Sequence, residues 1–195
     1  MSKKKDYTTQ FQTPPAVCRY MASLIPGHVK TVLEPTPGIG NLVSALSDFK
    51  VTAPVDYFTL DPGQRYDAIV MNPPFSATSA NLENAPTSFL GTGMRFGYQM
   101  LMQSMHQSDH IIALMPWFTI SDSDVRMRCL KRFGLKSITT LPRKTFQYAR
   151  IQTCILELEK GYVGKTTFEV FEMLPHILSE DEKCQMTMFA IDLDQ

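Results

Sequence analysis

Residues 66–76 read YDAIVMNPPFS, and the reading of this stretch decides the fold. From Tyr66 to Met71 the run is almost continuously apolar, the pattern of a strand buried on both faces of a parallel sheet. Pro73 and Pro74 cannot donate to a ladder, so the strand has to stop at Asn72. A rigid Asn-Pro-Pro-Phe turn follows. Asn72 carries a carbonyl acceptor and an NH2 donor. Pro73 lacks an N–H, and two adjoining rings restrict the direction of its carbonyl. The pair can present two acceptors toward one point, with the flat face of Phe75 beside them. Such a set suits a planar group bearing an NH2. The plainer reading is a proline turn that closes a strand.

Upstream, FQTPPAVCRYMASLI (residues 11–25) reads as a helix. Thr13 is placed to cap it and Pro14 to occupy its first position, with Val17, Tyr20, Met21 and Leu24 on one face. KTVLEP (30–35) is a short buried strand stopped by Pro35, TPGIGN (36–41) a glycine turn, and NLVSALSDF (41–49) a short helix. Gly38 and Gly40 let backbone approach a ligand closely, and the carboxyl edge of an open α/β sheet is where ligands bind. Alone, the segment fits a plain strand–turn–helix corner as well as a cofactor loop.

Downstream, VDYFTL (55–60) is a strand candidate, and residues 76–97 form a long polar loop expected to close over a substrate. YQMLMQSMHQ (98–107) is a helix whose methionines pack the core, and HIIALMPWF (110–118) a central strand. SDSDVRMRCLKRFG (121–134) is a helix with Ser121 and Asp124 as a capping pair and Gly134 as its stop. SITTLP (137–142) is a strand, and residues 145–161 are two strands joined by a tight turn. TTFEVFEML (166–174) and MTMFAIDLD (186–194) are further strand candidates. The alternation predicts an α/β sheet, mostly parallel, with an antiparallel hairpin at one edge. One domain spans residues 1–195, with a core of about 7–160 and a tail, 161–195, that suits an edge hairpin, a dimer contact or a remnant recognition element.

Composition narrows the class. The chain has 195 residues, 44% of them apolar, enough for a core. Lys plus Arg and Asp plus Glu are 19 each, so no overall basic footprint for nucleic acid exists. Cys18, Cys129, Cys154 and Cys184 are far apart in sequence and read as reduced thiols, with no metal-ligand spacing among Cys and His. MSKKKD at the start is followed by no apolar run, so neither a signal peptide nor a membrane span is expected, and the expected location is cytoplasmic.

The glycine turn and the Asn-Pro-Pro-Phe turn, in this order, resemble the S-adenosylmethionine-dependent amino-methyltransferases, specifically the adenine-N6 DNA methyltransferases of the type I and type IIG modification kind. The resemblance implies a Rossmann-like class I methyltransferase sheet and S-adenosyl-L-methionine as cofactor. In that family the tetrapeptide matching Asn72-Pro73-Pro74-Phe75 binds the target amine. The loop matching Glu34-Pro35-Thr36-Pro37-Gly38-Ile39-Gly40-Asn41 holds the methionine part of the cofactor. Phe11-Gln12-Thr13-Pro14 matches a Thr-Pro segment that also touches it. Asp56-Tyr57-Phe58 matches a segment whose acid lies near the cofactor adenine. Residues 115–161 resemble the family's back half, and the likeness covers about residues 7–160.

Two departures from the family pattern stand out. Only SDFKVTAP (47–54) separates the glycine-turn helix from Asp56, so one strand–helix unit, with its ribose-binding acid, is expected to be missing. The 35 residues after 160 are too few for a usual target-recognition domain. The implied reaction is methylation of the adenine N6 amine in flipped-out DNA, with DNA and a separate specificity subunit or a second copy as partners. A protein-glutamine methyltransferase uses a near-identical tetrapeptide, though usually with Tyr in the fourth place. RNA-adenine methylation and a catalytically degenerate binding subunit are the remaining alternatives.

Overall fold

The computed structural model describes residues 12–76, 82–146 and 151–172. At its centre lies β3 (Ala68–Met71), the strand read from YDAIVM, with all four residues buried. It pairs in parallel with β1 (Thr31–Leu33) on one side and β4 (His110–Pro116) on the other. Registers of Leu33 with Ile69 and Met71 with Ala113 bring the carboxyl ends of these strands to one edge. The full order is β2-β1-β3-β4-β6-β5-β7, with β2 at Lys50–Thr52, β5 at Leu135–Thr140, β6 at Thr153–Glu159 and β7 at Thr167–Val170. β6 runs antiparallel to β4 and β5, and every other neighbouring pair is parallel.

Side-chain alternation along the central strands feeds two apolar clusters, one on each face. Ile69, Met71, Ile111, Ala113 and Met115 pack with Met100, Leu101 and Met105 of α4 (Phe96–Gln107). Val32, Ala68, Val70, Ile112 and Leu114 pack with Val17, Cys18 and Met21 of α1 (Pro15–Ser23) and with Leu42 of α2 (Asn41–Ala45). The methionines of α4 are core. Three helices complete the set: α3 (Thr87–Leu90), α5 (Phe118–Ser121) and α6 (Asp124–Phe133). Among the described residues none of these helices is long and apolar enough to cross a membrane. Cys18, Cys129 and Cys154 are free thiols.

Several local readings are corrected. Pro14, not Thr13, precedes the first helical residue, and Pro15 takes the first position. The strand expected to be missing after the glycine-turn helix is present as β2, three residues long and parallel to β1. Pro54 cuts it short, which hid it in the sequence. VDYFTL is no strand. Its residues Tyr57–Thr59 form a 3-10 turn, because the Asp56 side chain accepts from Phe58 N (2.9 Å) and curls the backbone. No other helix or strand lies between β2 and β3.

The described part of 76–97 holds α3 and a second 3-10 turn (Gly93–Arg95) rather than irregular loop. Ser123, not Ser121, caps α6, accepting from Arg126 N, while Gly134 ends it. The antiparallel partners of β6 are β4 and β5, and Thr145, expected to open a strand, sits in a turn, donating to Pro142 O (2.6 Å). The strand candidate at 186–194 lies outside the described residues.

Asp56 carries more of this local structure than its position in a connector implies. Its carboxylate also accepts from Asn84 N and Nδ2, both at 2.9 Å, tying the turn after β2 to the segment before α3. Burial alone would raise its pKa; the bonds from Asn84 and Phe58 outweigh that and hold it below the usual aspartate range. Asp56→Ala is expected to cost about 1–3 kcal/mol in urea unfolding at neutral pH, since three donors lose their acceptor. A lowered folded pKa contributes stability that is full above the ordinary aspartate pKa and lost in stronger acid. The gap between wild type and variant therefore closes on acidification. Equal stability at neutral pH would remove this role.

Candidate active site at the carboxyl edge of the sheet

Three segments meet where β1, β2 and β3 end. β1 delivers Glu34, whose backbone N–H donates to Thr52 O of β2 (2.9 Å). The Glu34 side chain turns inward, 1% exposed, and accepts from Thr36 N (2.8 Å). Burial pushes its carboxyl up to about 8, against the opposing pull of the Thr36 hydrogen bonds. The glycine turn then bends over it through left-handed residues, Gly38 at φ 55° and Gly40 at φ 90°, conformations that only glycine adopts without strain. Gly40 N donates to Pro37 O (2.8 Å), closing the turn into α2.

β3 delivers Asn72, clamped from two sides. Its Nδ2 donates to the Thr13 hydroxyl (3.0 Å), and its backbone carbonyl accepts from the Thr36 hydroxyl (3.2 Å). Thr13 is 4% exposed, and its carbonyl accepts from Asn41 Nδ2 (3.1 Å). Beyond Asn72 the two prolines rest on the start of α4. A Cβ on Gly97 would stand 3.1 Å from Pro74 O, so a side chain at that helix position would push the turn outward by a few tenths of an ångström. Phe75 is half-buried against the cluster beneath α1.

These segments wall a cleft of about 700 Å³, within the range of small-molecule sites. Of the predicted site residues, Thr13, Glu34, Thr36, Gly38, Asn72, Pro73, Pro74 and Phe75 line it. Pro14, Pro35, Gly40, Asp56 and Tyr57 are not among its lining residues. Pro14 and Gly40 sit at helix starts, shaping the approach of the lining segments. Asp56 is committed to Phe58 and Asn84. Tyr57 is core, 2% exposed, its hydroxyl donating to Gln107 Oε1 (2.5 Å).

Other lining residues were not singled out from the sequence. Ala53, Pro54 and Val55 follow β2, and recognition of that strand would have marked them as residues at a carboxyl end. Leu82, Met94 and Ile151 arrive from distant segments, and nothing local signals them. Ile39, Val55 and Met94 are 61%, 100% and 44% exposed at this cleft. Among the described residues, Glu34 is the sole ionisable side chain in the lining, and neither Lys nor Arg is present. No described cluster of His, Cys, Asp or Glu has the makings of a metal site.

The lining bears on the charge of a ligand. A glycine turn between strand and helix can hold phosphate, but here it stands over a buried carboxyl and no cation, so an anionic ligand is disfavoured. A cationic group suits it, because an entering positive charge lowers the Glu34 pKa and pairs with the carboxylate. What the lining lacks is a second carboxylate at the end of β2, where Ala53, Pro54 and Val55 stand.

The folded protein keeps the Glu34 proton up to about pH 8, whereas an unfolded chain releases it near 4.5. The contribution is therefore lost as pH rises through that window. Glu34→Gln is expected to flatten this fall, leaving the variant more stable than wild type above about pH 8. Urea unfolding across pH 5–9 measures it, and parallel profiles would refute it.

By sequence, no protein-family model and no curated protein matches the chain. By structure it is similar to the type I restriction-modification methyltransferase subunit of Streptococcus thermophilus, with TM-score 0.63, 15% identity, and 92% of this chain against 52% of that one. It is also similar to the M protein of the type I restriction enzyme EcoKI (0.59, 13%, 82% against 45%). A third likeness is to the type IIG restriction endonuclease BpuSI (0.54, 15%, 79% against 26%). The chain spans about half the length of the type I modification subunits it matches. At these identities the likeness is one of fold: the seven-stranded sheet and its covering helices form the class I methyltransferase architecture.

Proposed function

We propose that the chain is an S-adenosylmethionine-dependent methyltransferase acting on the N6 amine of adenine in DNA. The observation that carries this reading is the shared cleft. The glycine turn over a buried Glu34 and the Asn-Pro-Pro-Phe turn wall the same space, so a methyl donor and an amine acceptor would meet there. The bound cofactor supplies an electrophilic methyl on a sulfonium. Glu34, Thr36 and the backbone of Gly38 would hold its cationic end.

The residues of the chain have a limited task. An aromatic exocyclic amine is a poor nucleophile because its lone pair is delocalised into the ring. Two acceptors that hold its hydrogens out of plane favour a tetrahedral nitrogen and stabilise the positive charge developing on it, with no strong base. The Asn72 side-chain oxygen and the Pro73 carbonyl take these roles. Rigidity at the two prolines means the acceptors need no reorganisation during reaction, and the fixed separation of the two turns supplies alignment. A duplex base must be flipped out to reach such a cleft, and Phe75 then offers a stacking face, worth about 1–3 kcal/mol.

The structural neighbours named as type I modification subunits support DNA as the polymer and assembly with a specificity subunit or a second copy. One observation favours a second reading. The end of β2 places no carboxylate in the cleft, so a methyltransferase-fold subunit that binds DNA or partners without turnover would be built this way too. Transfer of labelled methyl from the cofactor to DNA, RNA and peptide, alone and with candidate partners, separates these readings. Transfer to DNA adenine is expected; incorporation into RNA or glutamine peptide instead would overturn it.

Within this reading Asn72→Ala is expected to lower kcat by at least about 100-fold while cofactor affinity, by calorimetry, changes little. Equal loss of both would place Asn72 on the cofactor instead.

The missing carboxylate has its own consequence. One charge-assisted hydrogen bond is worth roughly 1.5–3 kcal/mol, or about tenfold to a hundredfold in affinity. The isolated chain is expected to bind S-adenosylmethionine only at micromolar or weaker levels, tightening when DNA or a partner is added. Submicromolar binding by the chain alone would contradict this.

A further inference from the structure

Thr36 stands between the two halves of the cleft and touches both. From the glycine turn its backbone N–H donates to Glu34 Oε1 at 2.8 Å. Its hydroxyl lies 3.2 Å from Asn72 O, at the root of the Asn-Pro-Pro-Phe turn, and 3.5 Å from the same Glu34 oxygen. Chemistry sets the direction of these contacts. A backbone N–H can only donate and a backbone carbonyl can only accept, so the bond to Asn72 O uses the Thr36 proton. Both oxygen contacts are longer than the ~2.7–2.8 Å of an undivided O–H···O bond. One proton shared between two acceptors gives that geometry.

The charge of Glu34 decides which acceptor holds the proton. While the carboxyl is neutral, the nearer oxygen, Asn72 O, holds it. Once ionised, the carboxylate is the stronger acceptor, because charge-assisted hydrogen bonds are shorter and roughly twice as strong. We infer that Thr36 is a positioning residue that couples the two halves of the cleft: a cation entering beside Glu34 draws the Thr36 hydroxyl from Asn72 O to the carboxylate and so releases the peptide between Asn72 and Pro73. This rests on the methyltransferase reading above. The released peptide carries the Asn72 side chain on one flank and the Pro73 carbonyl on the other. The amine half therefore takes its final orientation only once the cofactor half is filled.

The surroundings of Glu34 leave this route clear. From α1 the titratable group acting on it is Cys18, whose Sγ donates to Thr13 O at 3.4 Å. Burial and then the Glu34 charge push that thiol up to about 11, so it stays neutral while Glu34 changes charge at about 8. Among the described residues, the glycine turn, β2 and β3 bring no other ionisable side chain into the lining. The Thr36 hydroxyl itself favours the charged carboxylate, against the effect of burial.

The decisive test needs neither cofactor nor DNA. In the isotope-labelled full chain, the carbonyl carbon of Asn72 and the carboxyl carbon of Glu34 are followed by NMR as pH is raised through the Glu34 midpoint. In wild type the two are expected to shift together at about pH 8. Thr36→Val keeps the shape and removes the proton. There Glu34 should still titrate, at higher pH, while Asn72 stays still. Thr36→Ser should restore the Asn72 shift, and Glu34→Gln should abolish it. Thr36→Ala replaces the valine variant if thermal melting shows the latter to be misfolded. An Asn72 carbonyl that stays still in wild type would overturn the inference. So would one that shifts equally in Thr36→Val, since that is the field of the carboxylate acting through space. Below the Glu34 midpoint, S-adenosylmethionine should move the wild-type Asn72 carbonyl in the same direction as alkali does, and Thr36→Val should lose that movement. Cofactor binding without it would overturn the coupling. If no cofactor binds, the methyltransferase reading fails, while the pH titration still decides whether Thr36 carries the charge state of Glu34 to Asn72.

Discussion

The site depends first on parallel pairing between β1 and β3. Leu33 and Ile69 are in register, so Glu34 and Asn72, one and three residues further on, leave the sheet at the same edge. Had either strand run the other way, the glycine turn and the Asn-Pro-Pro-Phe turn would lie at opposite ends of the sheet. Parallel strands need covered faces, and this is what the alternation supplies. Ile69 and Met71 point to α4, Ala68 and Val70 to α1 and α2. Burying apolar side chains on both faces thus holds two polar turns side by side, tens of residues apart in the chain.

Polar contacts then refine what the core has placed. A connected series runs from Glu34 through Thr36 to Asn72 and on to Thr13 and Asn41. The series ties together the glycine turn, the end of β3 and the segment before α1, and none of its bonds is a ladder bond. Such a series costs little once the segments have been brought together, and it rigidifies them through mutual satisfaction. The buried carboxyl at its start costs the fold stability once ionised, with its pKa driven up by lost hydration. A cation placed beside it would relieve that cost.

The edge beyond β1 is the thin part of the molecule. β2 has three residues, and a single 3-10 turn carries the chain on toward β3. Asp56, the nearest acid, is used to hold that turn to Asn84 rather than to face the cleft. Ala53, Pro54 and the fully exposed Val55 form the wall instead. An apolar, exposed wall contributes contact area and little directional hydrogen bonding. Affinity for a hydroxyl-bearing ligand there has to come from elsewhere in the cleft or from a second macromolecule.

From the sequence by itself came the class of fold, the strand at YDAIVM, the methionine core of α4, and both turns. Each is written in local chemistry, where apolar runs, prolines and glycines restrict the backbone within a few residues. The antiparallel strand was also legible, but not its partner, because strand pairing is a long-range choice between similar apolar runs. β2 was missed since three residues give no periodicity to read. Asp56 and Tyr57 were read as cofactor contacts, and the structure places them in a cap and in the core. Which way a side chain faces was decided only when Asn84 and Gln107 closed on these two residues. The Thr13–Asn72 contact belongs to the same kind. A hydrogen bond across 59 residues has no signature in either segment, and it forms because packing of α1 against the sheet brings the two ends within 3.0 Å.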